Sequence, residues 1–373
     1  MFVLRLCLNY CWNSSWNEIT KDWAETARSH FLTSFHAKTS FMTIIPLVRA
    51  SVVLPFVKFL DQIGAPTEYL LRKAHLPVGA FENTENLMPL NQSFAFAELS
   101  ACSEGVENLG ILVGQQTQLA QLGEFGAVVS QSLTLHDLLG KLIQLHNTLV
   151  TGEKIWFTAD GNYLWLHHQY TVPHHIQTYQ AQCFSVMVYL NVIRLGAEHY
   201  WQPDQLYLVG GKNKAFLDLD RLSNTAIHFD QPNNAIRFSR DLLSKPLNHF
   251  IKPSLSDRAE ATLQLTALPT DFTDSLRQLI RLLLPEDYPS LTIAAEAAGV
   301  STRTLQRRLE DNNLNFSQVV EQVRFEQAVH LLQDPTHQLI DIAFELGYSD
   351  AANFTRAFKR WTGVSPTQFR QSR

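Results

Sequence analysis

The sequence predicts an α+β N-terminal domain followed by an all-α C-terminal domain. In the middle of the chain, alternating apolar patterns and a hairpin signal stand beside helical patterns, whereas the last quarter has helical patterns only. That last quarter also contains one helical unit twice. A chain of 373 residues, 45% of them hydrophobic, is long enough for two such domains. The predicted ranges are 42–255, a linker at 256–271, and 272–373.

Residues 1–41 differ from the rest of the chain. They are rich in Trp, Asn, Ser, Thr and His without a clear apolar period, and a folded-domain pattern begins after Met42. A secretory signal is one interpretation, but Arg5 is the only basic residue near the start, and Asn9 and Asn13 interrupt the apolar stretch. We expect instead a disordered or non-native extension, with Met42 as the working start of the protein.

The first part of the N-terminal domain reads mainly as helices. Apolar residues recur at helical spacing in the clearest case, where leucines lie at Leu135, Leu138, Leu139, Leu142 and Leu145. The predicted helices span 52–63, 67–75, 91–103, 106–114 and 134–149.

Strands follow these helices. Ile155–Ala159 and Tyr163–His168 flank Asp160-Gly161-Asn162, which is a hairpin signal because Asp, Gly and Asn favour tight turns. Further strands are predicted at 204–209, 225–229 and 235–238, around a long helix at 175–199. Helices and strands together give this domain its α+β prediction.

The repeated unit of the last quarter lies at 293–309 and 340–358. In each copy an apolar helix start leads to an Ala and, four residues later, to a Gly; the pairs are Ala295 with Gly299 and Ala343 with Gly347. A small Ala lets two helices cross closely, and Gly adopts the positive φ that a sharp turn demands. The pattern predicts two helix-turn-helix motifs.

A second helix follows each turn, with Ser301 or Ser349 as its expected N-cap. Its apolar positions recur at helical spacing, while its other face carries Arg, Gln, Asn and Thr, which suits a DNA groove. The segment 317–333 between the motifs reads as one helix that Asp334-Pro335 ends. A stiff connection of this kind would hold two recognition helices one DNA turn apart, in successive major-groove segments.

These residues carry a specific resemblance. The C-terminal 100 residues resemble the signature of the AraC/XylS family of bacterial transcription regulators at Arg324, Ala328, Leu331-Leu332, Ile340, Ala343, Gly347-Tyr348, Phe354, Phe358-Lys359, Gly363 and Pro366. The N-terminal domain resembles the arabinose-binding-like domain of one branch of that family, through GEFG at 123–126 and its order of strands and helix. The alternative for the C-terminal part is a pair of amphipathic helical hairpins in an ordinary all-α domain.

The resemblance implies two recognition helices, at about 302–312 and 350–361. The first would present Thr302, Arg303, Gln306 and Arg307 to DNA, and the second Ala351, Ala352, Asn353, Thr355, Arg356 and Lys359. Arg and Gln can form bidentate contacts with guanine and adenine, whereas Ala offers only contact with a thymine methyl. We therefore expect the first motif to carry more base specificity and the second to rely on backbone contacts. Two interpretations fit three further basic residues equally well: each contacts a DNA phosphate, or each is a solvated charge on the far side of its helix. These residues are Arg308, Lys359 and Arg360.

The charge balance excludes a strongly basic, non-specific DNA binder. The whole chain has a net charge of −5, and from residue 270 onward eleven basic residues stand against thirteen acidic ones. Most of those basic residues lie on or just after the two recognition helices, so the positive surface is local, as site-specific binding allows.

Aromatic and His residues between 156 and 184 suggest an effector pocket. Its predicted members are Trp156, Trp165, His167 and Tyr179. A metal site at the doublets His167-His168 and His174-His175 is an alternative, but neighbours in a strand point to opposite faces, so each doublet would offer one inward His. The third interpretation is that these histidines bind no ligand and lie in the core or on the surface.

No cofactor, metal or membrane span is predicted, and the four cysteines have no paired CxxC spacing. Enzyme motifs such as GxSxG, HExxH or a Walker loop do not occur in the context that each requires. We therefore predict a cytoplasmic, sequence-specific transcription regulator. Its expected partners are double-stranded promoter DNA, a small-molecule effector of unknown identity, a second copy of the chain and, by family resemblance, RNA polymerase. The rival from another class is an enzyme or transport-type binding protein with a helical appendage.

Overall fold

The protein is described by a computed structural model, which covers residues 44–197, 200–247, 268–269, 271–285 and 289–371. The predicted extension 1–41 and nearly all of the predicted linker 256–271 lie outside these residues. Within the described part of the chain, no helix combines the length and the hydropathy that a membrane crossing requires.

The N-terminal domain begins with a short strand and continues mainly as helices. Strand β1 (Leu47–Arg49) pairs antiparallel with β2 (Leu87–Pro89) in a two-stranded ribbon. The helices of this part are α1 (Ala50–Gln62), α2 (Thr67–Lys73), α3 (Leu90–Ser103), α4 (Leu109–Gln116), α5 (Gly123–Val129) and α6 (Leu135–Leu149). The helical predictions for this region are confirmed to within a few residues at each end.

A five-stranded sheet forms the second half of the domain. Its strands are β3 (Glu153–Asp160), β4 (Tyr163–Tyr170), β5 (Gln205–Tyr207), β6 (Ala226–His228) and β7 (Asn234–Ser239), in the spatial order β3-β4-β7-β5-β6. All neighbours are antiparallel except β5 and β6. Gly161, with φ of +55°, lies in the predicted hairpin between β3 and β4.

One helix packs against the sheet and most of the domain. This helix, α7 (Tyr179–Arg194), is shorter than the predicted 175–199 because the chain around Pro173 forms turns up to residue 178. Nearly all of its side chains are buried, which explains why its apolar pattern has no polar face. A small helix, α8 (Lys214–Leu217), lies between β5 and β6.

The C-terminal domain is helical throughout the residues described. Its helices are α9 (Phe272–Leu283), α10 (Leu291–Ala297), α11 (Thr302–Asp311), α12 (Phe316–Leu331), α13 (Leu339–Glu345), α14 (Ala351–Thr362) and α15 (Pro366–Gln371). The predicted motif helices and the helix between them are all present. The fold class predicted from the sequence, α+β followed by all-α, is confirmed.

Two separate hydrophobic clusters stabilise the C-terminal domain, and α12 contributes to both. Its first half buries Val319, Val320 and Val323 against α9, α10 and α11. Its second half buries Ala328 against α13 and α14, in the cluster that contains Phe354 and Phe358. Each cluster therefore forms the core of one helix-turn-helix motif.

The ribbon joins the two domains. The side chains of β1 alternate, so Val48 packs in the N-terminal core while Leu47, together with Ile45, packs with α9 in the C-terminal core. The backbone N–H of Ile45 also donates to Ser275 Oγ at 2.9 Å, in a buried hydrogen bond. Two residues from the N-terminal end thus belong to the core of the first motif.

A second contact joins the domains beside the first turn. Asn91 Nδ2 on α3 donates to the carbonyl of Ala297 at 2.9 Å, and His75 Nδ1 lies 3.1 Å from a carboxylate oxygen of Glu296. A Cβ on Gly299 would approach Asn91 Nδ2 to 2.8 Å. The first motif is therefore held against the N-terminal domain at the turn that precedes its recognition helix.

Candidate nucleic-acid interface and ligand cavity

Both motifs contain the turn that their Ala and Gly spacing predicts. Gly299 and Gly347 have φ values of +64° and +69°, in the left-handed region that favours glycine. Ala295 and Ala343 are buried at the helix crossings, and their carbonyls accept the N–H groups of the residues just after the two glycines, at 3.0 and 2.9 Å. A larger residue at these positions would separate the crossing helices or strain the turn.

The predicted first recognition helix, α11, begins where it was expected to begin. Ser301 is its N-cap, with Oγ accepting the backbone N–H of Thr304 at 3.2 Å. Leu305 and Leu309 are buried and hold the helix on the core, because they lie four residues apart on one face.

The opposite face of α11 is open. Thr302, Arg303, Gln306 and Arg307 are all exposed, and none of these four side chains forms a hydrogen bond or ion pair with another described residue. Guanidinium and amide groups without internal partners break no contact within the protein when they bind a ligand. The four residues predicted for the first motif therefore lie together on one surface that can meet DNA.

The predicted second recognition helix, α14, has a different N-cap from the predicted one. The prediction of Ser349 was wrong: Asp350 caps the helix, and its Oδ1 accepts the backbone N–H of Asn353 at 2.7 Å. A carboxylate next to the expected Ser is the stronger acceptor at a helix N-terminus, since it also carries negative charge. Ser349 Oγ instead donates to Asp350 Oδ2 and accepts from Asn353 Nδ2.

Several predicted DNA-binding residues of α14 are engaged within the helix. Asn353 Nδ2 donates to Asp350 Oδ2 at 2.6 Å, and Asn353 Oδ1 accepts from Arg356. Thr355 Oγ1 donates to the carbonyl of Ala351 at 2.7 Å. Ala352 and Lys359 are exposed. The second helix thus offers fewer unengaged polar groups than α11.

Arg308 and Arg360, which the sequence assigned either to a phosphate contact or to a solvated charge, contact neighbouring helices. Arg308 lies over the ring of Phe272, 5.6 Å from its centroid, and burial together with the neighbouring Arg307 lowers its pKa. Arg360 forms an ion pair with Glu321 on α12 at 2.6 Å. Both groups therefore already have partners within the domain.

A buried arginine connects the linker helix to the second turn. Arg324 on α12 is 6% exposed, and its Nη2 donates to the carbonyl of Gly347 at 2.9 Å. Its guanidinium also lies over the ring of Tyr348, 4.3 Å from the centroid. This side chain therefore positions the turn from which α14 begins.

Three of the four residues predicted for an effector pocket lie together. Trp156 and His167 stack with ring centroids 5.0 Å apart, and Trp165 lies 6.3 Å from His167 on the same sheet face. Burial lowers the pKa of His167 to about 4, and its ring nitrogens face Thr158 Oγ1 and Asn233 Nδ2. Tyr179 lies elsewhere, at the start of α7, and lines a separate cavity of about 20 Å³.

The two histidine doublets differ in their positions. In the first, on β4, His168 is buried and His167 faces outward, as strand alternation predicts. The same expectation for the second was wrong, because His174 and His175 lie in a turn and are both exposed. Within the described ranges, no group of three His, Cys, Asp or Glu side chains has the arrangement of a metal site.

A larger cavity lies inside the N-terminal domain. The space that the centre of a water molecule can occupy within it is about 70 Å³. Most of its wall is apolar and comes from β1, α1, α3, α6 and α7. Its polar wall consists of His146, Glu153, Tyr170, Ser185 and Tyr189. The cavity lies on the inner side of β3 and β4, whereas the stacked Trp156 and His167 lie on the outer side.

The polar wall contains a buried carboxylate. Oε1 of Glu153 accepts from Tyr189 Oη at 2.9 Å and lies 2.6 Å from His168 Nε2, while its Oε2 lies 3.5 Å from His146 Nε2. Burial alone would raise the pKa of Glu153, but the two facing imidazoles more than offset this, and its pKa lies below the usual value.

Sequence reasoning did not identify this cluster. Glu153 is one acidic residue at a strand start, and its partners His146, His168 and Tyr189 come from a helix, a neighbouring strand and a second helix. The only signal in the sequence is His146, a polar residue on the leucine-rich face of α6. Such a position indicates a buried polar contact without saying which residue provides it.

Two family models match parts of the chain. Residues 64–247 match the family model described as the arabinose-binding domain of AraC transcription regulators, N-terminal, and residues 294–372 match the model described as a helix-turn-helix domain.

Individual relatives are similar over one or both parts. The HTH-type transcriptional regulator VirS of Mycobacterium tuberculosis is 26% identical over 340 residues, which cover 88% of this chain and 98% of that protein. The HTH-type transcriptional regulator VqsM of Pseudomonas aeruginosa is 43% identical over 100 residues, 26% of this chain and 31% of that protein. The crystal structure of the transcriptional regulator CdpR from Pseudomonas aeruginosa covers 82% of this chain and 96% of its own, at 21% identity and a TM-score of 0.34.

The two family matches lie in the order that the family requires, and one relative is similar to this chain along almost its whole length. The chain therefore belongs to the AraC/XylS family of DNA-binding transcriptional regulators, in the branch with an N-terminal domain of the arabinose-binding type.

Proposed function

We propose that this regulator places α11 and α14 in two successive major-groove segments on one face of promoter DNA. The observation that supports this is the position of α12, which belongs to the cores of both motifs. A helix of 16 residues spans about 24 Å at a rise of about 1.5 Å per residue. Because the same rigid helix packs against each motif, the motifs cannot rotate independently without exposing apolar surface.

Ion pairs reinforce this rigid connection. Arg281 on α9 pairs with Glu326 at 2.8 Å, and Arg360 on α14 pairs with Glu321 at 2.6 Å. The two carboxylates lie on α12, about one and a half turns apart. Each motif is therefore tied to the same helix by one charged contact, in addition to its apolar core.

The two helices have unequal roles in this proposal. Arg303, Gln306 and Arg307 on α11 read base edges, because their side chains are exposed and unengaged within the described domain. On α14, Ala352 contacts a thymine methyl and Lys359 a phosphate, while Asn353 and Thr355 chiefly stabilise the helix start.

An effector site in the N-terminal domain is the second part of the proposal. The outer surface of Trp156, Trp165 and His167 and the enclosed cavity are the two candidate places. The cavity is favoured, because an enclosed apolar space buries more of a small ligand than an open sheet face does. We place the protein in the cytoplasm as a homodimer that contacts RNA polymerase.

Footprinting on a selected operator tests the two-groove arrangement. An operator is first enriched from a random double-stranded DNA library with the full chain, and hydroxyl-radical cleavage then maps the protected backbone. We expect two protected segments per protomer, about 10–10.5 base pairs apart on one face of the duplex. Protection confined to one groove segment would contradict the insertion of both helices.

A further inference from the structure

We infer that the enclosed cavity of the N-terminal domain binds a small hydrophobic amine, with its ammonium group between Glu153 and His146. This inference rests on the proposed effector response and names the chemical class of the effector. Three features of the cavity carry it, namely its size and apolar lining, the free oxygen of Glu153, and the lack of a lysine or arginine partner for that carboxylate among the described residues.

The apolar lining sets the size and character of the ligand. Side chains such as Val53, Phe56, Phe94, Leu142 and Phe184 surround the space. Since one water needs roughly 10–15 Å³ of centre volume and about 30 Å³ of liquid volume, the cavity accommodates a ligand of roughly 150–200 Å³. This is about the volume of a benzene ring with a short substituent, and the lining offers such a ring no polar partner on most sides.

Glu153 leaves one oxygen free for a ligand. Oε1 accepts from Tyr189 Oη at 2.9 Å and lies 2.6 Å from His168 Nε2, whereas Oε2 has only His146 Nε2 at 3.5 Å, too far for a good hydrogen bond. His146 Nε2 itself has no hydrogen-bond partner within the described structure. A buried carboxylate oxygen and a buried imidazole nitrogen thus border the cavity with unused capacity, and such groups are costly to leave unpaired.

His168 lies between Glu153 and Asn234. Asn234 Oδ1 accepts the backbone N–H of Val209 at 2.9 Å, which fixes the orientation of the Asn234 amide. Its Nδ2 then donates to His168 Nδ1 at 3.2 Å, so the imidazole nitrogen that faces Glu153 is Nε2.

Among the described residues, no lysine or arginine pairs with Glu153. The buried Arg49 pairs with Glu85 at 3.0 Å. An ammonium group would donate to Glu153 Oε2, beside His146, and would pair its positive charge with the buried carboxylate, which a hydroxyl cannot do. A carboxylate ligand would bring a second negative charge next to Glu153, so the site selects against acids.

Three ligands of equal size test this assignment. Benzylamine, benzyl alcohol and benzoate are titrated into the full chain without DNA, and binding is followed by saturation-transfer NMR and by thermal shift. We expect benzylamine to bind best, benzyl alcohol more weakly, and benzoate not at all. Tighter binding of benzoate or of the alcohol than of the amine would overturn the assignment.

Two variants locate the bound ligand. Glu153→Gln removes the charge and should weaken benzylamine roughly tenfold or more, whereas Glu107→Gln, at an exposed carboxylate, serves as the control. If Glu153→Gln does not fold, Ala97→Leu provides the second test, because it fills the apolar part of the cavity and leaves Glu153 in place. We expect Ala97→Leu also to lose benzylamine binding.

The outcomes separate this inference from the proposed regulatory function. If Trp156→Ala loses benzylamine while Glu153→Gln and Ala97→Leu retain it, the ligand lies on the outer sheet face, and the cavity assignment is wrong. Operator footprinting needs no ligand, so a negative titration leaves the DNA-binding proposal intact. Conversely, benzylamine binding with no sequence-selective footprint would support the cavity and contradict the two-helix model.

Discussion

Two arginines of the C-terminal domain show how the surroundings of a side chain determine its role. Arg307 on α11 is exposed, and within the described structure it has neither a hydrogen bond nor an ion pair. Arg324 on α12 is buried, donates to the Gly347 carbonyl and lies over Tyr348. The first is available to DNA, and the second acts on the protein itself. Substitutions at the two positions should therefore affect different measurements.

Arg307→Ala should weaken operator binding by about 1–3 kcal/mol and relax the preference at one base position, because a bidentate contact with guanine is lost. Competition binding against operator variants and random DNA measures both effects. Arg277→Ala is the matched control, since Arg277 lies on α9 and already pairs with Asp274 and Gln322. Equal weakening on operator and random DNA would show that Arg307 contacts only a phosphate.

Arg324→Lys should loosen the second turn while keeping the charge. Lysine cannot stack its ammonium as a plane on Tyr348, and it loses the fork geometry that reaches the Gly347 carbonyl. We expect about 1 kcal/mol less protection for residues 339–362 in amide hydrogen exchange. Residues 291–311 report on the first motif and should keep their exchange rates. If the exchange rates of residues 339–362 and of residues 291–311 change by the same amount in the variant, Arg324 has no special effect on the second turn.

Sequence reasoning at this scale succeeded where the interaction is local. Ser301 caps α11 through a contact with a residue three positions away, and this was predictable. The same logic failed at Ser349 because Asp350, one residue later, is the stronger acceptor. The Glu153 cluster could not be predicted from the sequence, since its members are brought together only by the packing of α6 and α7 onto the sheet.

At the scale of elements, the prediction of the motif helices held because each pattern has its own physical cause. Apolar residues at helical spacing fix α11 and α14, and a glycine with positive φ fixes each turn. The ends of α7 were less predictable, because a helix that is buried on most sides has no broad polar face to mark its limits. The order of the five strands depends on contacts distant in sequence and could not be read from local patterns.

Gly347→Val should detach the second motif. The residue has φ of +69°, where a β-branched side chain is strained, and the expected cost is about 2–4 kcal/mol. Because Ala328, Phe354 and Phe358 form a core of their own, this cost falls on the second motif rather than on the N-terminal domain. We expect DNA affinity to fall to the non-specific level, measured by gel shift on operator and random DNA.

A control variant keeps this result interpretable. Gly140→Ala lies in the middle of α6, where φ is not positive and an added Cβ meets no atom within 4 Å. It should leave both folding and DNA binding unchanged. If Gly347→Val binds its operator as well as Gly140→Ala does, α14 is not a functional recognition helix and the two-groove model is wrong.

At the scale of the whole molecule, the predicted domain boundaries do not account for the ribbon, which contributes to the cores of both domains. Sequence reasoning assigned residues 42–255 to one domain, yet Ile45 and Leu47 pack in the core of the first motif, beside Leu276, Leu279 and Ile280. The sequence contains no sign of this, since a short apolar segment fits either core equally well. The stability of the first motif should therefore depend on residues more than 220 positions earlier in the chain.

Shortening the chain tests where this dependence begins. Removal of residues 1–41 should leave melting temperature and DNA affinity unchanged, because that sequence has no apolar period from which a buried face could form.

In the shortened chain, Leu47→Ala should then lower the protection of α9 against hydrogen exchange by about 2–5 kcal/mol, the usual cost of removing a buried leucine side chain. Val48→Ala is the matched control, since Val48 packs in the N-terminal core and its loss should spare α9. Failure of the chain that starts at Met42 to accumulate in soluble form would refute the first expectation. Unchanged exchange of α9 in Leu47→Ala would show that the first motif holds its core without the ribbon.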